Sequence, residues 1–247
     1  MTMSSFPDHF SAGAAAYARH RFAYPDTFYD HLAALAPGRQ RVWDAGAGSG
    51  QATIPLAARF AAVVASEPSA AQRAMAPPHP RVEWRAEKAE QAVFVEGTLD
   101  AVLVAQAIHW FDRPRFYAVA RAALRPGGLI VASTYAFPEV EPAMDAIILD
   151  FAAQLAPHWP PESALPHGRY RDLDWPFEVV DWPPTAVVLD WTLADLLGNL
   201  GTWSGVQRAV AAEGPGRLRA LAAALSPHWG PGSRRVVWPL WVRAGRV

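Results

Sequence analysis

Apolar and polar positions along residues 1–136 fall into short apolar runs separated by longer periodic stretches. Arg41-Val-Trp-Asp44 is a short apolar run that ends on an acid, and Ala62-Val-Val-Ala-Ser-Glu67 repeats that arrangement. Between them, Gln51 to Phe60 carries apolar residues at helical spacing. Ser69 stands where a helix N-cap belongs and opens a short helix to Met75. Val82-Glu-Trp-Arg-Ala86 alternates as a third strand, and Leu99 to Ala105 reads as a fourth strand buried on both faces. Arg113 to Leu124 returns to helical spacing, Arg125-Pro-Gly-Gly128 stops it, and Leu129 to Tyr135 makes a fifth strand. Strands that alternate with helices need crossover connections, so the pattern predicts an α/β fold around a mostly parallel sheet.

The pattern changes after Pro138. Pro142 to Ala156 is helical, and Pro157 to Pro184 then holds seven prolines and three tryptophans. Ala186 to Thr192 reads as a strand, Leu193–Leu200 and Gly205–Leu225 as helices, and Arg234 to Arg243 as a last strand. We expect one domain, with a core over 1–136 and a helical cap over about 137–235. The chain would rejoin the sheet at 186–192 and 236–244.

Composition narrows the partners. Lys and Arg total 22 against 23 Asp and Glu, with no basic run, so a polyanionic partner such as nucleic acid is not expected. Cysteine is absent, which removes disulfides and thiolate chemistry. No two histidines and an acid share metal-ligand spacing, so no metal is expected. The first 20 residues include Asp8, His9 and Arg19 without a long apolar run, and no 18-residue apolar stretch occurs. A secretory signal and a membrane span are therefore not expected, and a cytoplasmic location is the default. Of 11 tryptophans, nine lie at or after Trp110, so the second half must find room for much rigid aromatic surface. No heptad seam stands out, leaving monomer and homodimer both open.

The chemistry begins with Asp44-Ala-Gly46-Ala47-Gly48-Ser-Gly50, placed between the first strand and first helix. Glycines at alternate positions let the chain turn sharply and let a ligand touch the backbone. A dinucleotide fingerprint from Gly46 would need a small residue at position 51, where Gln51 stands. No Gly-Lys-Ser/Thr follows, so this is not a phosphate loop of the nucleotide hydrolases. Asp44 would repel a pyrophosphate but suits a cationic amino or sulfonium group. Glu67, at the end of the second strand, can accept both hydroxyls of a ribose.

On these residues the chain resembles the class I S-adenosylmethionine-dependent methyltransferases, and within them the type 11 group that includes trans-aconitate methyltransferase-like enzymes. The resemblance extends to Phe10-Ser-Ala, Tyr17, Arg21 and Tyr24-Pro25 in the opening segment. It extends also to Ala105-Gln-Ala-Ile-His-Trp-Phe-Asp112 with Leu124-Arg-Pro-Gly-Gly128, and more loosely to Thr202-Trp-Ser204 and the ending near Pro239. It departs at Phe22, where the family has proline, and at Glu87-Lys-Ala89-Glu90, where the family tends to have Gly-x-Ala-Glu. The resemblance implies a Rossmann-like fold with a seven-stranded sheet, mostly parallel with an antiparallel C-terminal strand. It implies S-adenosylmethionine as cofactor, held by Asp44, Gly46, Ala47, Gly48, Gly50, Glu67, Pro68, Ala105, Gln106 and Trp110. Ala89 would bond adenine through its backbone with Glu90 nearby. Tyr17 and Arg21 would close over the methionine end, and Arg21 could pair with its carboxylate.

In an open α/β sheet ligands bind at the carboxyl ends of strands, so Ala105 to Phe111 should face the reacting methyl group. Gln106 can hydrogen-bond cofactor or substrate, and His109 has the pKa range of a general base, so both are candidate catalytic residues. Trp110 and Phe111 could wall a sulfonium, although core packing explains Trp110 equally and Phe111 better. Aligning two reactants can supply roughly 7–11 kcal/mol, against roughly 3–5 kcal/mol from a base. A carboxylate acceptor would need no base, whereas a phenol would benefit from one. Acceptor choice should lie in the cap, with Trp159-Pro-Pro-Glu162, Arg169-Tyr170-Arg171 and Trp203-Ser204 as candidates, and the arginine pair hints at an anion. The expected function is methyl transfer to a small molecule with a carboxylate or hydroxyl. The alternatives are a non-catalytic S-adenosylmethionine-binding protein and an NAD-dependent oxidoreductase.

Overall fold

The structure is a computed structural model and describes residues 22–247. Helix α1 (Asp26–Leu35) comes first and buries Phe28, Tyr29, Leu32 and Ala33 on one face. Its outer face is held by Arg59, which bonds Asp30 at 2.7 Å and Asp26 at 2.9 Å. Strand β1 (Arg41–Ala45) leads through the glycine loop to α2 (Thr53–Ala57), and β2 (Ala62–Ser66) to α3 (Ala70–Ala74). Ser69 caps α3 by accepting from the Gln72 backbone N–H. Strand β3 (Val82–Arg85), β4 (Leu99–Ala105), α4 (Arg113–Ala123) and β5 (Leu124–Thr134) complete the first half. Helix α2 is shorter than the apolar spacing from Gln51 to Phe60 suggests, because turns occupy both flanks. Strand β5 begins earlier than Leu129. Leu124 pairs with Leu99 and Leu129 with Ala101, so Arg125-Pro-Gly-Gly128 forms an irregularity within the strand.

The second half holds α5 (Pro142–Gln154), α6 (Ala164–His167), β6 (Glu178–Val180), β7 (Thr185–Trp191), α7 (Leu193–Leu200), α8 (Ser204–Glu213), α9 (Gly216–Trp229) and β8 (Arg234–Arg246). The apolar spacing across 205–225 covers two helices, broken at Gly214-Pro215, where Gly214 takes φ +78° and proline cannot extend a helix. The sheet runs β3-β2-β1-β4-β5-β8-β6, with β7 also on β8. Pairings from β3 to β5 are parallel and those of β8 are antiparallel. This is the Rossmann-like α/β architecture expected, with eight strands instead of seven. The extra strand has a simple cause. Glu178 pairs with Arg246 and Thr185 with Leu240, so β6 and β7 line one partner with a one-residue slip between them. Trp182-Pro183-Pro184 sits at the break, where prolines cannot supply ladder N–H groups.

Both faces of the sheet are covered. Leu103, Val131 and Trp238 pack in one cluster with α1 and the cap helices, and Trp43, Val102 and Phe116 in another with α4. At the edge away from the glycine loop, the buried Asp100 carboxylate accepts from the backbone N–H of Gln40 at 2.7 Å and of Arg41 at 2.8 Å. Arg125 lies 3.1 Å from its other oxygen. Asp100 therefore ties the start of β1 to β4, and its charge is matched where it is buried. Replacing it with alanine strands two half-buried backbone donors and an arginine, so Asp100→Ala should cost roughly 2–3 kcal/mol. The drop in urea midpoint measures this, and a change under 1 kcal/mol would contradict the role.

Candidate functional site

Three cavities open along the carboxyl edge of the sheet, and Gln106 lines all of them. The largest, about 230 Å³, runs from Gly46, Ala47 and Gly48 past Glu67 and Pro68 to Lys88, Ala89 and Glu90, and back to Ala105 and Trp110. A second, about 60 Å³, holds Asp44 with Tyr24, Tyr29 and Tyr135. A third, about 70 Å³, lies between the strand ends and the cap and is walled by Trp110, Tyr135, Phe137, Trp159 and Trp203.

The glycine loop makes the first cavity. Gly46 takes φ +72°, and a Cβ there would stand 2.7 Å from the Ala107 Cβ. Gly48 takes φ +58° with nothing nearer than 3.9 Å to an added Cβ, so its exposed face is a cradle. The loop is tied to the neighbouring strand, since the N–H groups of Gly46 and Ala47 both donate to the Ser66 carbonyl, at 2.9 and 3.0 Å. Glu67 then closes the arrangement. Its carboxylate accepts from the Gly48 N–H at 3.0 Å and the Ser69 N–H at 2.8 Å. Two backbone donors thus orient the acid at the cavity wall.

Asp44 is buried and accepts from the Thr53 hydroxyl at 2.6 Å. Burial pushes its carboxyl up to about 7, the Thr53 bond pulls the other way, and the Glu67 charge adds to the rise. Burial, with the Asp44 charge adding to it, likewise holds the Tyr29 phenol above its ordinary value.

Gln106 ends β4 at φ +56°, a left-handed conformation costly for a side chain other than glycine. Its amide is already engaged. Nε2 donates to the Tyr135 carbonyl at 3.1 Å, while Oε1 accepts from Thr134 Oγ1 at 2.5 Å and from the Tyr135 N–H at 3.3 Å. Gln106 thereby fastens the end of β4 to the end of β5. His109 lies buried in the short helical turn Ile108–Trp110, with Nδ1 3.3 Å from the Tyr170 hydroxyl. Tyr170 comes from the cap and is fully buried. Arg169 and Tyr170 are consecutive left-handed residues, at φ +59° and +53°, a strain of roughly 1–3 kcal/mol each. Arg243 secures them by donating to the carbonyls of Tyr170 and Arg171, both at 3.1 Å, and Arg169 stacks over Trp241 at 4.6 Å.

The residues expected to hold a cofactor fall together with few exceptions. Gly46, Ala47, Gly48, Glu67, Pro68, Ala89, Glu90, Ala105, Gln106 and Trp110 line the largest cavity. Asp44 lines the adjoining one, and Gly50 packs toward Trp84 instead of lining either. Tyr17 and Arg21 lie outside the described residues. Of the cap candidates, Trp159, Trp203 and Ser204 wall the third cavity, while Arg169 and Arg171 do not. Glu162 reaches from the cap to the largest cavity. The sequence reading misses Gln72, Lys88, Tyr135, Phe137 and His167. Tyr135 and Phe137 follow β5 as Gln106 follows β4, so the strand-end rule could have found them. The others are set by packing alone.

Residues 43–132 match the methyltransferase domain family. A provisionally named methyltransferase of Dictyostelium discoideum is 30% identical over 83% of this chain and 80% of its own length. The chain belongs to the class I S-adenosylmethionine-dependent methyltransferases. A solved structure from Anaeromyxobacter dehalogenans, provisionally named a type II methyltransferase, is 38% identical over 92% of this chain and 97% of its own, with TM-score 0.85. The fold alone is shared with a phosphoethanolamine N-methyltransferase of Haemonchus contortus solved with S-adenosylhomocysteine. That structure is 15% identical with TM-score 0.53, covering 99% of this chain and 60% of the other.

Two outcomes follow for this methyltransferase. Gly48→Ala adds a methyl group to open space at positive φ, so stability should fall by only about 1–2 kcal/mol. Binding of S-adenosylmethionine should nevertheless weaken at least tenfold in calorimetry, because the cradle is filled, and unchanged affinity would exclude the cradle. Second, a cationic ligand end favours ionised Asp44, whose carboxyl sits at about 7 when the site is free. Affinity should therefore rise with pH up to and through 7 and level off above it, with proton release on binding near pH 6. Titrations in buffers of different ionisation heat measure the proton, and flat affinity from pH 6 to 8 would rule Asp44 out.

Proposed function

We propose that this methyltransferase transfers the methyl group of S-adenosylmethionine to a ring hydroxyl, or an equivalent uncharged nucleophile, of a small aromatic acceptor. The observation that carries this reading is the lining of the third cavity. Its walls are Trp110, Tyr135, Phe137, Trp159 and Trp203, its polar side chains are Gln106, His109, His167, Ser163 and Ser204, and no described lysine or arginine lines it. Burial holds the His167 imidazole below its ordinary value, so it is neutral at pH 7. A carboxylate placed there would lose its hydration without gaining a cation, at a cost of several kcal/mol. A planar aromatic would gain stacking area on several sides and find neutral hydrogen-bond partners. The trans-aconitate resemblance, which implies a carboxylate acceptor, draws no support from this lining.

The cofactor fits the residues present. The Gly48 face is open where a Cβ would intrude on a ligand, and the buried Gln72 Oε1 at the cavity wall has no hydrogen-bond partner among the described residues. Glu67 would take the ribose hydroxyls, Ala89 and its neighbours the adenine, and Asp44 the cationic amino acid end. S-adenosylmethionine, when bound, supplies an electrophilic methyl group carried on a sulfonium. Gln106 and the end of β5 set the distance between that site and the aromatic cavity. Trp159 and Trp203, whose rings lie 5.8 Å apart, hold the acceptor ring and exclude water. His109 takes the hydroxyl proton as the acceptor oxygen gains the methyl group.

The test is a screen of neutral phenols and of small carboxylic acids, scored by methylated product. Phenols should be turned over and aliphatic di- and tricarboxylates should not, and faster turnover of a carboxylate would overturn the acceptor class. With the best acceptor, Trp203→Ala should raise KM about tenfold or more at unchanged cofactor affinity. His109→Gln should lower kcat by about 10²–10⁴.

A further inference from the structure

We infer that Gln51 determines which form of the cofactor is held, with its Oε1 facing the sulfonium of S-adenosylmethionine and favouring that charged form over the neutral product, S-adenosylhomocysteine. This rests on the cofactor reading above. Gln51 lines both the largest cavity and the Asp44 recess, as do Gly46, Ala47, Ala105 and Gln106. These residues mark where the two cavities meet. A ligand with its amino acid end beside Asp44 and its ribose beside Glu67 must cross that junction. In S-adenosylmethionine the sulfur is the atom that joins the two ends, bonded to the ribose C5′ on one side and to the amino acid chain on the other.

Among the described residues at this junction, Gln51 alone brings a polar side-chain atom that is not already committed. Gly46, Ala47 and Ala105 have none to offer, and Gln106 spends both amide atoms on Thr134 and Tyr135. Gln51 Nε2 donates to Ser49 Oγ at 2.9 Å, and Oε1 then lies toward the open face of Gly48, 3.9 Å from a Cβ placed there. No described residue donates to that oxygen. A sulfonium taken out of water loses hydration, and a carbonyl dipole pointing at it restores part of the loss. When the methyl group leaves, the electron pair of the broken bond stays on sulfur and the charge is gone. The contact therefore holds S-adenosylmethionine and releases its product, adding to binding and not to the rate of the methyl step. Gln51 does not line the aromatic cavity, so its oxygen meets the sulfur from a side other than the acceptor's. The residue that breaks the dinucleotide spacing thus has a use of its own.

Calorimetric titration of the full chain with S-adenosylmethionine and with S-adenosylhomocysteine tests this, with no acceptor present. The readout is the ratio of the two dissociation constants, in which a general disturbance of the cavity cancels. Gln51→Met keeps the length of the side chain and removes the carbonyl. It should weaken binding of S-adenosylmethionine about tenfold and of the product less than about twofold. Gln51→Glu offers only acceptor oxygens and adds a full charge, so it should move the ratio the opposite way. Ser49 lines neither cavity, and Ser49→Ala frees the amide to turn, so the ratio should move as in Gln51→Met but by less. Equal losses for both ligands, or a ratio that Gln51→Met leaves unchanged, would overturn the role. Should Gln51→Met not fold, an unchanged ratio in Ser49→Ala does the same. Wild type that binds neither ligand would instead count against the cofactor reading, and the role of Gln51 would fall with it.

Discussion

Gln106 takes a left-handed conformation at the end of β4, and its amide bridges to Thr134 and Tyr135 at the end of β5. Parallel strands part beyond their last ladder bond, and the crevice that forms there is where an open α/β sheet receives ligands. The bridge fixes how far these two ends part. It also places one residue at the wall of all three cavities. The cofactor loop, the acid-lined recess and the aromatic cavity are therefore referenced to a single rigid point. That rigidity serves methyl transfer, in which alignment of the two reactants carries most of the rate gain.

The sheet carries buried acids on both edges, and their surroundings separate their roles. Asp100 has two backbone donors and an arginine, so its charge is matched and it works as a fastener. Asp44 has one threonine hydroxyl and the repulsion of Glu67, and its carboxyl rises to about 7. Among the described residues no cation offsets the burial of Asp44. Glu67 lies between these cases, with two backbone bonds that orient it at the cavity wall.

The cap turns an aromatic-rich, proline-rich stretch into a wall. Trp159, Trp203 and Phe137 meet around His167, with ring centroids between 4.5 and 5.8 Å. Prolines in this stretch disfavour long helices and leave short turns that can present large rings inward. The strained Arg169–Tyr170 turn belongs to the same device, since it sends a cap residue down to His109 on the sheet side.

Much of the first half was legible from sequence. Apolar runs ending in Asp44 and Glu67, the glycines between them, and helical spacing from Arg113 onward are local features, and local sterics decide them. They were enough to place β1, β2 and β4 and to bring the glycine loop and Glu67 to one cavity. The chain alone did not reveal that Arg169 and Arg171 do not line the aromatic cavity, or that β6 and β7 share one partner across the Trp182-Pro-Pro break. Nor did it show that Gln106 spends its amide on β5, or that Tyr170 reaches His109 from 61 residues away. Each of these depends on which distant segment arrives alongside. Backbone preference is written into a few neighbouring residues, but the direction of a hydrogen bond and the sign of a cavity's charge depend on groups that meet only when the sheet and cap have packed.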